Sequence, residues 1–176
     1  TALAINAGGH IFAADSPWPS IYRSTTDGDS WSRIRVNLYD TVTHLSINTQ
    51  WHIYSGHGYY LSRSTNNGDS WHRVRGGSGY PTPNITGFNN ENHIFVGYTS
   101  ELLLRSIDDG ATWENVDSTL TTKDVRCFAF HSSGTIYCGT YGGGIFMSED
   151  NGDTWSPLND GLINPYVMAL AIDSQR

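Results

Sequence analysis

The chain has 176 residues and a net charge of −7, with 15% charged residues, 12% aromatics, 19 Gly, six Trp and ten Tyr. That length suffices for one well-filled core, and the Gly-rich, aromatic profile argues against disorder. The acidic balance and the single Lys argue against a nucleic-acid partner, because phosphate-backbone binding runs on clustered Lys and Arg.

In chain order, Ala2-Leu3-Ala4-Ile5 opens a strand directly after Thr1, which reads as a processed, excised or partial chain. Four repeat units follow, at about 1–40, 41–80, 81–122 and 123–164, and residues 165–176 read as the first strand of a fifth. First strands are expected at 2–6, 43–48, 84–88 and 125–131. Second strands share one pattern: His10-Ile11-Phe12, His52-Ile53-Tyr54, His93-Ile94-Phe95 and Thr135-Ile136-Tyr137. Each third strand runs into an eight-residue box and each fourth strand leaves it. Short strands with regular turn signals predict an all-β chain of four-stranded antiparallel units, for which periodicity alone permits a propeller or a solenoid.

The boxes read STTDGDSW (24–31), STNNGDSW (64–71), SIDDGATW (106–113) and SEDNGDTW (148–155), with first serines 40, 42 and 42 residues apart. A fixed period means one supersecondary unit built four times. Gly28, Gly68, Gly110 and Gly152 supply the positive φ of a tight turn, and the Asp or Asn before each tolerates unusual turn dihedrals. Ser24, Ser64, Ser106 and Ser148 can anchor the loop through their hydroxyls. Trp31, Trp71, Trp113 and Trp155 are large apolar plates suited to the seam between sheets. Asp27, Asp108 and Asp150, with Asn67 at the equivalent turn, are accordingly structural rather than catalytic.

These segments resemble the Asp-box, or BNR, repeats of β-propellers, whose pattern is Ser-x-Asp-x-Gly-x-Thr-Trp. The third and fourth boxes match it in full. In the first two, Thr26 and Asn66 replace the Asp, and Ser30 and Ser70 replace the Thr. The resemblance implies a propeller of four blades plus one strand, a partial ring or one completed by self-association or by blades of a larger chain. It implies an extracellular or cell-surface location and spans many activities, including sialidases, xyloglucan hydrolases, sorting receptors and photosystem assembly factors.

Propeller ligands usually bind opposite the boxes, at the loops between second and third strands and those joining blades. Trp18, stiffened by Pro17 and Pro19, could form a stacking surface with Tyr59, Tyr60, Tyr98 and Tyr141 for sugar rings or a partner's apolar side chains. The bland alternative is that these aromatics cap the blade packing. A glycosidase needs two carboxylates about 5–9 Å apart. Asp15, Asp40, Glu101 and Asp124 are the loop acids available, and nothing in their spacing pairs any two. A sialidase would need converging arginines, whereas most of the nine here recur at repeat-equivalent places and read as solvated strand faces. His10, His52 and His93 are one repeat position seen three times, and His44, His57, His72 and His131 lack ligand spacing, so no metal and no cofactor are expected. No run approaches the ~18 apolar residues of a membrane helix, and no signal peptide is visible.

Cys127 and Cys138 flank a hairpin. Free, packed thiols are favoured over a direct cross-strand bridge, which is geometrically awkward. Asn84-Ile85-Thr86 is a glycosylation sequon that matters only on a eukaryotic secretory route. The chain therefore reads as a non-catalytic recognition module for a glycan or protein, with a piece of a xyloglucanase-like glycoside hydrolase second and a purely structural array third.

Overall fold

A computed structural model describes residues 2–15, 20–34, 40–99, 102–122 and 124–173. The described residues form sixteen strands in four antiparallel four-stranded sheets, each in simple sequence order. The first blade is β1 (Ala2–Ile5), β2 (Ile11–Asp15), β3 (Ser20–Ser24) and β4 (Ser32–Ile34). The second is β5 (Val42–Ile47), β6 (Ile53–His57), β7 (Tyr60–Ser64) and β8 (His72–Gly76). The third is β9 (Pro83–Phe88), β10 (Ile94–Tyr98), β11 (Leu102–Ser106) and β12 (Glu114–Asn115). The fourth is β13 (Val125–Phe130), β14 (Ile136–Thr140), β15 (Gly144–Ser148) and β16 (Ser156–Pro157). No described helix is long and apolar enough to cross a membrane.

The chain divides into two compact units, Thr1–Thr86 and Gly87–Arg176, the division falling within β9. In the first unit, Phe12, Ala14, Ile21 and Ile34 of the first blade pack with Val42, Leu45 and Ile53 of the second. Ala2, Ala4, Ile47 and Trp71 close around that cluster. In the second unit, Phe95 is fully buried and clusters with the rings of Phe128 and Phe130, with centroids 6.2 and 5.7 Å away. Apolar residues on one face of each strand account for this arrangement, since alternate side chains point to opposite faces.

The boxes build the turns. At the fourth and fifth positions φ is positive throughout: 51° and 95° at Asp27-Gly28, 59° and 88° at Asn67-Gly68, 61° and 91° at Asp109-Gly110, and 61° and 89° at Asn151-Gly152. Two consecutive positive φ values with a bond between the flanking residues, as from the Asp29 amide to Thr26 O (2.9 Å), mark a type I′ turn. The first-position serine accepts the glycine amide in every box, at 2.9 Å in Ser24 and Ser64 and 2.8 Å in Ser106 and Ser148. Asp108 and Asp150 accept both the backbone amide and the hydroxyl of Thr112 and Thr154. Those bonds hold both carboxyls below the usual carboxylate range. Thr26 and Asn66 accept the same amide from Ser30 and Ser70, at 3.0 and 2.8 Å, so the departures preserve the loop. Removing the Ser148 hydroxyl (Ser148→Ala) orphans a buried amide and is expected to cost about 1–2 kcal/mol in urea unfolding, with the fold retained.

Within each unit the second box also binds the blade before it. Arg23 donates to Asn67 O at 2.7 Å and pairs with Asp69 at 2.8 Å, while His10 bonds Asn67 at 3.1 Å. In the second unit, Arg105 donates to Asn151 O and pairs with Asp153 and Glu114, each at 2.7 Å. Arg105 is 8% exposed, so this arginine is not the solvated one expected from the repeat pattern. A Cβ at Gly68 would stand 2.6 Å from Ile34, and one at Gly152 would stand 2.8 Å from Phe95, so both glycines also allow close packing.

The tryptophans do not share one role. Trp155 is 4% exposed and donates Nε1 to Val116 O at 2.9 Å, placing it in the seam of its unit. Trp31, Trp71 and Trp113 each donate to their own box glycine carbonyl at 3.0 Å, and Trp71 also packs on the core cluster of the first two blades. Trp31 remains 44% exposed, contrary to the seam expectation, because no blade precedes it among the described residues. Residues 166–173 form no strand; a single Tyr141–Tyr166 bridge and the Val167 amide on Thr140 O (3.0 Å) hold them to the fourth blade. Cys127 and Cys138 are free and buried, offset by one register step because Cys127 faces Gly139.

Candidate functional site

The blade ends opposite the boxes gather the residues that break the repeat. In the first unit, β6 and β7 meet at a two-residue hairpin with Gly58 (φ 51°) and Tyr59 at its tip and His57 opposite Tyr60. Gly in the first central position suits a type II′ turn. The Asp40 side chain packs on this glycine so closely that a Cβ there would lie 2.8 Å from Asp40 Cβ. Asp40 Oδ1 accepts the Thr41 amide at 2.7 Å, which orients the acid. The Tyr60 ring lies between the His57 ring, 5.6 Å away, and the Arg73 guanidinium, 5.4 Å from its centroid. Tyr59 is 51% exposed at the tip.

Beneath this tip the second blade has a polar interior where the other blades are mainly apolar. His44, Ser55, His57 and Ser62 are all buried. Counting from the boxes and turns, Ser55 stands where Ala13, Val96 and Cys138 stand, and Ser62 where Tyr22, Leu104 and Phe146 stand. His57 Nε2 lies 2.9 Å from Ser62 Oγ, and His44 Nε2 lies 2.6 Å from Thr86 Oγ1. His57 Nδ1 and Ser55 Oγ are buried without a hydrogen-bond partner. Burial pushes both imidazoles down to about 4, against the nearby Asp40 charge, which raises His57. The sequence spacing of His44 and His57 concealed this pair. A register shift between Val42 and His44 sets His44 opposite Gly56, next to His57, and His44 lies over a glycine that has no room for a Cβ.

In the second unit the equivalent end carries Tyr141 and Tyr166, edge-to-face with centroids 4.7 Å apart and 52% and 53% exposed. Arg126 lies over Tyr141 at 5.3 Å and pairs with Asp124 at 2.7 Å, so its charge is already compensated. The blade-joining loop supplies Tyr166, and the Gly142 and Gly144 amides bond Pro165 O at 3.2 and 2.9 Å.

Of the expected surface aromatics, Tyr59 and Tyr141 are exposed and Tyr60 is half-buried. Tyr98 is 1% exposed: it ends β10 facing inward and offers no stacking surface. Trp18 and Glu101 lie outside the described residues. Asp15 ends β2, Asp40 packs on the hairpin and Asp124 is held by Arg126. Among the described residues no three His, Cys, Asp or Glu side chains are grouped to hold a metal ion. Tyr166, Arg126 and the two histidines were missed as site residues. Tyr166 belongs to a blade-joining loop, the class of loop in which propeller ligands bind, and only the strand register unites the others.

No protein-family model matches the sequence, and no curated protein matches it. Solved structures do. The chain is similar to an ancestral GH74 enzyme at 20% identity and TM-score 0.70, covering 89% of this chain and 24% of that one. It is similar to the extracellular domain of a one-component system from B. thetaiotaomicron at 12% identity and TM-score 0.74, covering 95% and 24%. A third match is YCF48 bound to D1 peptide, at 15% identity and TM-score 0.67, covering 93% and 53%. The chain thus spans from about a quarter to about half the length of these proteins. With sixteen strands in four antiparallel sheets among the described residues, it has an all-β fold of propeller blades.

Proposed function

We propose that this chain is an extracellular, non-catalytic recognition module of the Asp-box propeller type, reading a glycan or a protein segment at the blade ends opposite the boxes. The observation that carries the reading is the Tyr141–Tyr166 pair: two half-exposed rings, with the adjacent arginine neutralised by Asp124. Such a surface suits a neutral ligand with apolar faces, since aromatic rings give large contact area at low entropic cost. The hairpin tip at Tyr59 and Tyr60 offers a second surface of the same kind.

Two neighbours lend support without deciding the ligand: one is bound to a peptide and another is a GH74 enzyme. A hydrolytic role has less behind it, because Asp124 is committed to Arg126 and Asp40 to its hairpin. The test is a paired screen of neutral glycans and peptides, followed by Tyr141→Ala and Tyr166→Ala. Each variant is expected to weaken the ligand found by about tenfold or more, the scale of a central aromatic contact. A ligand that binds both variants as it binds the wild type removes these rings from the site.

A further inference from the structure

Charge is unevenly shared among the blades. Residues 41–80 hold three arginines against the single Asp69, a net charge of +2 in a chain of −7. Residues 81–122 hold six acids against Arg105 alone. Asp69 is itself taken up by Arg23 of the first blade, at 2.8 Å. From Ser70 to Asn90 no Asp or Glu occurs, so β8 and the loop after it bring no carboxylate of their own.

The cations gather on β8, the outermost strand of that blade. It runs His72-Arg73-Val74-Arg75-Gly76 and pairs on its inner side with β7. Its five residues exceed the two each of β12 and β16 and the three of β4. Its other side has no neighbouring strand among the described residues, so alternate N–H and C=O groups there point outward. The ladder matches Arg73 with Ser62 and Arg75 with Leu61, adjacent residues of β7. Val74 is thus a bulge, and it turns the two arginines to opposite faces of the blade. Both guanidiniums lie over rings, Arg73 at 5.4 Å from the Tyr60 centroid and Arg75 at 5.4 Å from that of Tyr80. Stacking on a ring face restrains a long side chain and uses none of its N–H donors. Arg23, Arg105 and Arg126 each pair with a carboxylate, at 2.8, 2.7 and 2.7 Å. Exposed Arg73 has no carboxylate partner among the described residues. Like charge guards such an edge against a second copy of itself, and the same charge selects a strand of opposite sign.

We propose that the outer edge of β8 docks an extended acidic peptide, which adds to the second blade as a fifth strand and sets carboxylates against Arg73 and Arg75. Main-chain bonds supply the affinity, and the two guanidiniums supply the choice of sequence. Nothing is displaced, because β8 keeps its ladder to β7. This edge is distinct from the Tyr141–Tyr166 surface and does not depend on it.

The probe is the blocked peptide Thr-Val-Glu-Glu-Val-Thr, whose adjacent acids fall on opposite faces of a strand. Calorimetric titration of the wild-type chain at low salt is expected to show one-to-one binding. Affinity is expected to fall about tenfold or more when Arg73→Gln is combined with Arg75→Gln, and likewise when Gln replaces Glu in the peptide. In a second arm, alternate residues of the peptide are N-methylated. One set is expected to leave binding intact and the other to abolish it, since only every second N–H of an added strand faces β8. Equal binding by both methylated peptides overturns the strand pairing, and equal binding by the arginine variant overturns the part given to the guanidiniums. No binding at about 1 mM overturns the site altogether. If the arginine variant fails to fold, the methylated peptides, read on the wild-type chain, still decide.

Discussion

Acidification from pH 7 to pH 4 is expected to destabilise the first unit strongly, with His44 and His57 as the cause. Both are held neutral at about 4, against 6.5 for a free imidazole, because they are buried. The sign follows from linkage. Above about pH 6.5 both states are neutral and nothing is lost. Between 6.5 and 4 the unfolded chain takes up protons that the folded one refuses, and stability falls. Below about 4 the folded state also protonates and the loss levels off. A depression of this size is on the order of 3 kcal/mol per imidazole, a large share of a typical domain's stability. Asp40 is the charged group that opposes it, and Thr43, Ser62 and Thr86 surround the pair with neutral hydroxyls. Urea midpoints at pH 7, 5.5 and 4 would measure the slope, and His44→Gln with His57→Gln should flatten it. A slope unchanged in that double variant would remove the histidines from the account. The box carboxylates add to the slope only at its acid end, since Asp108 and Asp150 sit below the ordinary 3.8 and their contribution is lost as pH falls through about 4 and below.

Truncating Phe95 is expected to have the largest single-residue effect. Its ring is fully buried, sits within 6.2 Å of Phe128 and 5.7 Å of Phe130, and receives the backbone of Gly152. Phe95→Ala therefore opens a cavity that the surrounding β backbone cannot collapse into. The expected loss is about 3–5 kcal/mol, and roughly 10 °C in melting temperature for a chain of this size. Phe95→Leu should cost less than half as much. An alanine variant within about 1 kcal/mol of wild type would show that the second unit does not depend on this cluster.

The four-blade organisation was legible because each box couples a backbone demand to a nearby side chain: positive φ at Gly28 and its equivalents, a serine four residues before to catch the amide, and an indole to follow. That coupling repeats identically whatever lies around it. Contacts across blades were not legible in the same way. The four box tryptophans look alike in sequence, yet Trp155 is buried in a seam and Trp31 is half in solvent, because burial depends on a neighbour that the motif does not encode. Tyr98 looked like a loop aromatic, but its place as the last residue of β10 turns it inward. His44 and His57 lie thirteen positions apart, and only the register shift at Val42 brings them together. The arginines misled for a related reason: Arg23 and Arg105 reach the box of the following blade, some forty residues on.

The central claim is that the boxes build the blades and the opposite ends bind. Hydrogen exchange of the wild-type chain with and without its screened ligand tests this most directly. New protection is predicted around Gly58, Tyr59 and Tyr60, around Tyr141 to Gly144 and around Pro165 to Val167, with the box turns unchanged. Protection confined to the box turns, with those segments exchanging as they do in the free chain, would contradict it.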